Sequence, residues 1–418
     1  MFSLHNPGVS NRTFISLFSG AGGLDLGLER AGWSCRYASD IDPVAVDVLR
    51  ANQGRPIAEG ARFLEHAVIE QADLRSLDAA QVLHKSNLVG VAPDLLAGGP
   101  PCQAWSSGGS QRGFDDPRGA LATDFVRLAS ILRPQWLLME NVRGLLTARG
   151  PDGVPGSALD FLRTSLLNAG YRTWVQLLNA ADYGIPQRRV RLFIIGSRLP
   201  QSILWPSPTH AKTTQEAFPL LEAWIPLGET LVRCKPLLPS EVVVPSEALG
   251  AQLNRLSPGT GLKSAGKAEA TRPGGHWGYT QGGFLADAEQ PARTITASAQ
   301  QDWVRDPEWG IRRLCPRECA AVQTFPSDWE FPARPSHAYR MIGNAVPPAL
   351  AEILGRSLLA PNSLDSLDIP PPRRLEALPR RLQSAIEYTA REEARNGPSR
   401  RATGLRTQAP GPQNGVLW

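Results

Sequence analysis

Thr13-Phe-Ile-Ser-Leu-Phe-Ser-Gly-Ala-Gly-Gly-Leu-Asp-Leu-Gly-Leu-Glu-Arg-Ala31 decides the fold. Its opening residues, Thr13 to Phe18, form an apolar run of strand length. Ser19 to Gly23 is a glycine-rich turn, and Leu24 to Ala31 has the spacing of a helix that Gly32 stops. A strand, a glycine turn and a helix start make a cradle for a small ligand. Glycine lets the backbone approach closely, and the first helical turn offers free N–H groups. The spacing of Gly20, Gly22, Gly23 and Gly27 does not match the dinucleotide fingerprint, which argues against a nicotinamide-dependent dehydrogenase.

The next unit repeats the pattern. Ser34 to Ser39 reads as a second strand, followed by Asp40-Ile-Asp42 and a helix from Pro43 to about Asn52. A carboxylate about twenty residues past the first glycine is where nucleoside-binding sheets hold ribose hydroxyls. An aspartate there also caps a helix, and Asp40 and Asp42 divide these jobs between them. Asp73 follows an apolar stretch at the expected end of a third strand.

Ala97-Gly-Gly-Pro-Pro-Cys-Gln-Ala-Trp-Ser-Ser-Gly108 comes after another buried-type strand. Its prolines restrict the loop that carries Cys102, and the C-terminal end of a strand is where an open α/β sheet places chemistry. A Pro/Gly turn with no chemical role has the same appearance. A helix follows at 121–132, then the strand Gln135-Trp-Leu-Leu-Met139 and Glu140-Asn-Val142. A glutamate closing an apolar run is costly to bury unless paired or neutral, so Glu140 is a candidate acid held protonated by burial. Helix 157–169 and strand 174–180 lead to Gln187-Arg-Arg-Val-Arg191 and a strand at 192–195. Period-2 geometry puts Arg189 and Arg191 on one face, suited to an anion or to a solvated edge.

Strand and helix alternate up to Ser197, which predicts a parallel sheet with helices on both faces. Residues 199–289 then turn Pro-, Gly- and Trp-rich, as an irregular β-rich second domain would be. A short strand at 292–297, a helix at about 316–324 and a last helix ending near Leu359 follow. The tail from 361 holds nine Arg against six Asp plus Glu and reads as mostly disordered, with a helical pattern only at about 380–395.

Composition bounds the function. The chain has 418 residues, 42% hydrophobic content and a net charge of +5, enough for two domains and compatible with nucleic acid. Five scattered cysteines and the lack of a long apolar run predict a reduced, cytoplasmic protein. Cys315 and Cys319 stand four apart, but no further ligand offers metal spacing, so no metal site is expected. The six histidines lie outside every motif, which argues against a thiol hydrolase.

Phe18-Ser-Gly-Ala-Gly-Gly23, Gly99-Pro-Pro-Cys-Gln103, Glu140-Asn-Val142, Gln187-Arg-Arg-Val-Arg191, Arg293-Thr-Ile-Thr296 and Gly343-Asn-Ala-Val-Pro-Pro348, in this order, closely resemble the motif set of the bacterial DNA (cytosine-5) methyltransferases. The resemblance covers about 13–359. It implies an α/β fold: an S-adenosylmethionine-dependent methyltransferase sheet of Rossmann-like type, with a smaller irregular β-rich target-recognition domain. The expected divisions are a lead-in at 1–12 and a catalytic and cofactor-binding domain at 13–198. A target-recognition domain at 199–336 (variable part 199–289), a returning helix of the catalytic domain at 337–360 and the tail at 361–418 complete them.

By this resemblance Cys102 adds to C6 of cytosine, and Glu140 serves N3 of the ring. Asn141 places the glutamate and the cysteine loop, Arg189 contacts the cytosine O2, and Arg191 braces the site or reaches phosphate. S-adenosylmethionine is implied along Phe18, Gly20, Gly22 and Gly23, with Asp40 on the ribose, Ile41 against the adenine and Asp73 at its N6 amine. Pro101, Leu121 and Asn344 complete that pocket, and S-adenosylhomocysteine is the product. The target base is expected to be flipped out of duplex DNA. Trp105, Ser106, Gln111 and Gln187 are implied near the flipped base, and Gly259, Gly261, Trp277 and Tyr279 mark loops expected to read base edges. A monomer acting beside a separate restriction endonuclease is implied. A tRNA methyltransferase of the same fold and an orphan regulatory DNA methyltransferase are the rival readings.

Overall fold

The computed structural model describes residues 12–101, 121–199, 203–212, 221–263, 283–359 and 374–396. Strand β1 (Thr13–Leu17) is fully buried past its first residue and ends at the glycine turn. Helix α1 (Gly23–Arg30) begins directly after Gly22, whose φ of 78° lies in the left-handed region that glycine alone adopts without strain. Strand β2 (Ser34–Asp40) and helix α2 (Pro43–Asn52) follow. Asp42 caps α2 by accepting from the Val44 amide at 3.0 Å, which leaves Asp40 to the cleft. Strand β3 (Val68–Gln71) and helix α3 (Ala79–Lys85) precede β4 (Leu95–Gly98). Helix α4 (Leu121–Leu132), strand β5 (Trp136–Val142), helix α5 (Ser157–Asn168) and strands β6 (Arg172–Asn179) and β7 (Val190–Ser197) complete the unit.

These seven strands form one sheet in the order β3-β2-β1-β4-β5-β7-β6. The sheet is mixed and not wholly parallel as expected: β7 runs antiparallel to β5 and β6, because no crossover helix separates Asn179 from Val190, while all other neighbours are parallel. The chain moves outward from β1 to β3 and then crosses to β4 on the other side of β1. The C-terminal ends of β1 and β4 therefore form the topological switch point, where open α/β sheets bind ligands. Leu17 lies opposite Gly98, and Gly98 opposite Met139, so the glycine turn, the Gly99–Pro101 loop and Glu140 emerge side by side.

Two apolar layers cover the sheet. One packs α1, α2 and residues 338–358 on one face, through side chains such as Leu26, Leu49 and Leu354. The other packs α3, α4 and α5 on the opposite face through Val82, Phe125, Leu128, Leu159 and Leu162. Each fully buried Leu or Phe contributes about 1.5–3 kcal/mol.

The second region is smaller. Helices α6 (Leu227–Arg233) and α7 (Glu247–Asn254) lie beside a four-stranded sheet of β8 (Thr260–Gly261), β9 (Phe284–Leu285), β10 (Trp303–Asp306) and β11 (Gly310–Arg313). Its own apolar core centres on Leu253, Leu285 and Trp303. A buried ionic staple supplements it: Arg312 donates to Asp306 at 2.8 Å and to both Glu318 oxygens at 2.8 and 2.7 Å. Glu318 belongs to α8 (Pro316–Val322).

Helices α9 (Pro335–Asn344) and α10 (Pro348–Leu359) bring the chain back to the first unit. A Cβ on Gly27 would lie 2.3 Å from the Pro348 carbonyl oxygen, and one on Gly355 would lie 2.8 Å from Ala31 Cβ. Helix α10 thus rests on the bare backbone of α1, and the Trp33 indole seals the contact by donating to the Gly355 carbonyl at 3.0 Å. Helix α11 (Arg380–Asn396) lies within the stretch whose composition predicts mostly disorder. It is docked, with Leu382 only 1% exposed in the α4–α5 apolar layer. A helix-spaced apolar stripe outweighs the polar composition around it.

Among the described residues no helix is long and apolar enough to cross a membrane.

Candidate active site

The cleft at the switch point is lined by Phe18, Ser39, Asp40, Ile41, Ala72, Asp73, Leu74 and Leu121, around about 280 Å3 open to solvent. Five of these are residues that the sequence assigns to a cofactor. Phe18 holds a left-handed φ of 57°, a conformation costly for a bulky residue and characteristic of ligand clamps. Asp40 is held in place by the amides of Gly20 and Asp42, both donating at 2.9 Å. Burial pushes its carboxyl above the ordinary aspartate value, against those two hydrogen bonds. Ile41 is an apolar side chain 55% exposed at the cleft lip. Asp73 lies two residues beyond the end of β3 and accepts from Arg75 Nε at 3.0 Å to each oxygen. The Arg75 guanidinium keeps its carboxyl below the usual range. Nothing in the sequence marks Arg75, because a surface arginine near an aspartate carries no special signal.

The glycines of the turn have different duties. A Cβ on Gly22 would stand 2.7 Å from the Phe63 ring, and one on Gly23 would stand 2.3 Å from the Val346 carbonyl oxygen. Their missing side chains make room for protein. Gly20 has a φ of 56°, and its Cβ position meets only the Phe18 carbonyl oxygen, at 4.0 Å. Of the three, it is the glycine whose side is left open. Asn344 is exposed as the last residue of α9, and neither it nor Pro101 lines the cleft.

Beneath the turn lies Asp25, fully buried in the first turn of α1. Burial pushes its carboxyl up to about 7. The hydroxyls of Ser16 and Ser19 lie near it, but out of good hydrogen-bond geometry. One turn later Glu29 is pushed up to about 8 by burial, although it accepts from the Leu64 amide at 2.7 Å and the Cys35 amide at 3.3 Å.

Glu140 lies in β5, two residues before its end, and is largely buried. The sequence predicts a lone buried acid, whereas the structure pairs it with Arg191, whose Nε lies 2.9 Å from Oε1. The pairing follows from register: Arg191 on β7 lies opposite Val142, so its side chain reaches the neighbouring glutamate. A Cβ on Gly99 would stand 3.4 Å from Glu140 Oε2, so the loop toward Cys102 passes directly against this carboxylate. Asn141 tethers the same loop, its Nδ2 donating to the Pro100 carbonyl at 3.2 Å while its Oδ1 accepts from the Val142 amide at 2.9 Å.

Arg189 and Arg191 do not share a face. Gln187–Arg188 form a two-residue strand paired with Ala292–Arg293, and β7 begins only at Val190. Arg189 is the junction, and the break in pairing overrides period-2 alternation. Its guanidinium is 1% exposed and donates to the carbonyls of Ile295 (3.1 Å), Gly343 (3.1 Å) and Ala345 (2.8 Å). The contact with cytosine expected of Arg189 is thus open to Arg191, the arginine that faces Glu140.

Gln187 is likewise interior, fully buried, with its amide spent on Gln323 Oε1 (2.7 Å) and the Ile295 amide (2.9 Å). Gln323 passes the tie on to the carbonyls of Ile342 (2.6 Å) and Ala345 (3.2 Å). These two glutamines and Arg189 bind the returning helices to the catalytic edge, so Gln187 positions the site and has no free group for DNA. A polar residue within the apolar run Ala320-Ala-Val-Gln323 was the available signal for Gln323. In the second region Gly261 is buried in β8, paired with Phe284, and the Gly259 amide donates to the Leu285 carbonyl at 2.8 Å. The backbone of both is committed to the small sheet. Cys102, Trp105, Ser106, Gln111, Trp277 and Tyr279 lie outside the described residues.

The four described cysteines are buried and free. Burial pushes the thiols of Cys35 and Cys319 well above the ordinary value, Cys315 up to about 12, and Cys234 upward. A thiol needs a low pKa and access to act as a nucleophile, so none of these four is one. No cluster of three or more potential metal ligands occurs among the described residues.

The family profile for C-5 cytosine-specific DNA methylase matches residues 12–360. The chain is similar to the Type II methyltransferase M1.HphI of Haemophilus parahaemolyticus, 32% identical over 362 residues, covering 84% of this chain and 87% of that protein. It is 33% identical over 379 residues to the Type II methyltransferase M.Eco47II of Escherichia coli, covering 84% and 80%. Its fold is shared by a putative DNA modification methyltransferase encoded in an E. coli prophage, with a TM-score of 0.56, 23% identity and coverage of 83% and 98%. It is also shared by a Spodoptera frugiperda DNMT2 mutant, with a TM-score of 0.58, 17% identity and coverage of 83% and 99%. An acid paired with an arginine, a tethered proline loop beside it and an open cleft at the carboxyl ends of the strands agree with that match, and the chain belongs to the C-5 cytosine-specific DNA methylases as a DNA (cytosine-5) methyltransferase.

Proposed function

We propose that the protein methylates C5 of a cytosine turned out of a specific duplex sequence, with Cys102 as nucleophile and S-adenosylmethionine as methyl donor. The observation that carries this reading is the Glu140–Arg191 pair at 2.9 Å, packed against the loop that leads to Cys102. C5 of cytosine is a poor nucleophile by itself. Addition of the Cys102 thiolate to C6 makes C5 an enamine carbon, and cysteine is the side chain best suited to such attack near neutral pH. Negative charge then develops on the ring. A proton held between the Glu140 carboxyl and N3 ends on N3 as the sulfur–carbon bond forms. Arg191 donates to the cytosine O2 while steadying Glu140, a preorganised donor aimed where charge develops. Asn141 fixes the Pro100 loop so that thiol and acid meet the ring together. When water or a side-chain base takes the C5 proton, the electrons of that bond expel the Cys102 thiolate from C6, and N3 returns its proton to Glu140, which restores the ring.

S-adenosylmethionine, when bound, supplies an electrophilic methyl group on sulfur. The cleft suits it: Asp40 faces a ribose, Ile41 and Phe18 offer apolar contact to adenine, Asp73 accepts from an amine, and Gly20 leaves its side open. Leu121 closes the cleft from α4. The relatives' designation as Type II methyltransferases supports a modification enzyme that shields DNA from a separate endonuclease. We assign it as a monomer in the cytoplasm, divided at residues 13–198, 199–336, 337–360 and 361–418. The smaller domain would read the sequence through the loop at 271–283.

The test is transfer of labelled methyl from S-adenosylmethionine to duplex DNA and to tRNA, with wild type beside Cys102→Ser. Label in DNA that is lost with Cys102→Ser is expected. Label in tRNA alone would overturn the DNA substrate, and full activity of Cys102→Ser would overturn the nucleophile.

A further inference from the structure

Helix α11 lies beyond residue 360, where the family match ends. It is built into the catalytic unit all the same. Leu382 is buried with Leu145, Leu146 and Leu159. A Cβ on Gly156 would stand 2.8 Å from Ile386 Cγ2, so Ile386 seats on bare backbone. Arg163 of α5, 3% exposed, donates to the Glu376 carbonyl just ahead of the helix.

This docking site lies on the catalytic edge. The helix contacts the turn Arg143–Thr147, which directly follows Glu140-Asn141-Val142. Strands β5 and β6 both run antiparallel to β7, so they end at the same edge. Asp182, just past the end of β6, lies within electrostatic reach of Arg381. Helix α11 therefore crosses the ends of β5 and β6, on the far side of Glu140 from the cofactor cleft.

At about 100° per residue, Leu382, Ile386 and Thr389 fall on the docked face, and Arg381, Ser384, Tyr388, Arg391 and Arg395 fall within an arc of about 80° on the far side of the helix. All five of these are exposed, Tyr388 to 62%. The arc contains no acid: Glu387 and Glu392 flank it. Beyond the helix the sequence adds Arg400, Arg401 and Arg406 and no Asp or Glu. Arginines spaced along one helix flank, with an aromatic between them, suit a phosphate backbone.

We propose that the exposed flank of helix α11 is a second DNA-contact surface, on which Arg381, Arg391 and Arg395 hold the phosphate backbone of the duplex as it leaves the catalytic cleft. Its partner is the enzyme's own substrate, and the contacts are independent of base sequence. The surface raises the affinity for DNA and the time spent on it, and takes no part in the chemical step.

Binding of the full-length protein to a 40-base-pair duplex, followed by fluorescence anisotropy across a salt series, tests this. Replacement of all three residues (Arg381→Gln, Arg391→Gln and Arg395→Gln) should lower the slope of log K against log salt by about two to three, since each phosphate that an arginine neutralises adds about 0.9 to it. Affinity at low salt should fall about ten-fold or more, with kcat on saturating DNA unchanged. An unchanged slope overturns the proposal, as does a fall in kcat at unchanged affinity. A second variant, Leu382→Asp, keeps every arginine but removes the anchor. It should show the same reduction in slope. If it binds as wild type while the triple variant does not, the arginines act without the docked position and the surface as described is overturned.

Discussion

The two ends of the site are built from opposite materials. At the cofactor end, β1, β2 and the glycine turn shape the cleft with backbone. Gly22 and Gly23 admit Phe63 and Val346, Gly20 stays open, and the few side chains are mostly apolar. At the catalytic end, charged and amide side chains do the shaping: Arg191 on Glu140, Asn141 on the Pro100 loop, Arg189 and Gln187 on the returning helices. Backbone geometry tolerates no side chain where it makes contact, and a buried charge tolerates no loss of partner. The first end should therefore fail by steric strain, and the second by loss of chemistry or of internal ties.

The sharpest way to break this contrast is Glu140→Gln. It retains shape and removes the proton carrier, so turnover should fall by about 10²- to 10⁴-fold while the melting temperature stays near wild type. Arg191→Ala should cost about 10²-fold in turnover. Next comes Arg189→Ala, which should leave buried carbonyls unpaired and lower stability by about 3 kcal/mol or more in denaturant titration. Arg189→Lys should not restore it, because an ammonium cannot span the three acceptors as the planar guanidinium does. A loss of activity from Arg189→Ala without loss of stability would assign it to the reaction instead.

At the cofactor end, Gly22→Ala should destabilise by about 1–3 kcal/mol through its positive φ and the clash with Phe63. Gly20→Ala should cost about 1 kcal/mol of stability, since only φ is strained there, and show its larger effect as weaker S-adenosylmethionine binding. Equal stability losses at the two glycines would erase the distinction between them.

A pH dependence of the ligand-free protein is expected as well. Asp25 and Glu29 are raised to about 7 and about 8, so the folded chain holds protons that the unfolded chain releases above about pH 4. Their contribution to stability is complete below that pH. It is lost as pH rises through about 7 for Asp25 and about 8 for Glu29. Melting temperature should fall between about pH 4 and 8, and the double variant Asp25→Asn and Glu29→Gln should flatten the slope. A slope unchanged in that variant would place its origin elsewhere.

The sheet was legible from Thr13 to Ser197 because each strand is a short apolar run followed by a breaker and a helix-spaced stripe. That Asp40 and Asp73 line the cleft was legible because both stand at strand ends, where such sheets place ligands, whereas Ile41 came only with the family resemblance. The roles of Arg189 and Arg191 were not, since they depend on one break in strand pairing at Gln187–Arg188, set by the distant Ala292–Arg293. The packing duty of Gly22 and Gly23 was hidden for the same reason: Val346 is more than three hundred residues away in the chain. Helix α11 was visible as a pattern, but its docking depends on Gly156 and Arg163, which nothing local in the tail foretells.

The central claim is that Cys102 attacks C6 beside the Glu140–Arg191 pair. The most direct measurement uses duplex DNA with 5-fluorocytosine in place of cytosine, incubated with the protein and S-adenosylmethionine. Fluorine at C5 leaves no proton to remove, so the sulfur–carbon bond cannot be released after methyl transfer. A denaturant-stable protein–DNA complex is expected, joined through the peptide that contains Cys102, absent with Cys102→Ser and strongly slowed with Glu140→Gln. Attachment at another residue, or methylation of ordinary DNA by a protein that never forms the complex, would contradict the account.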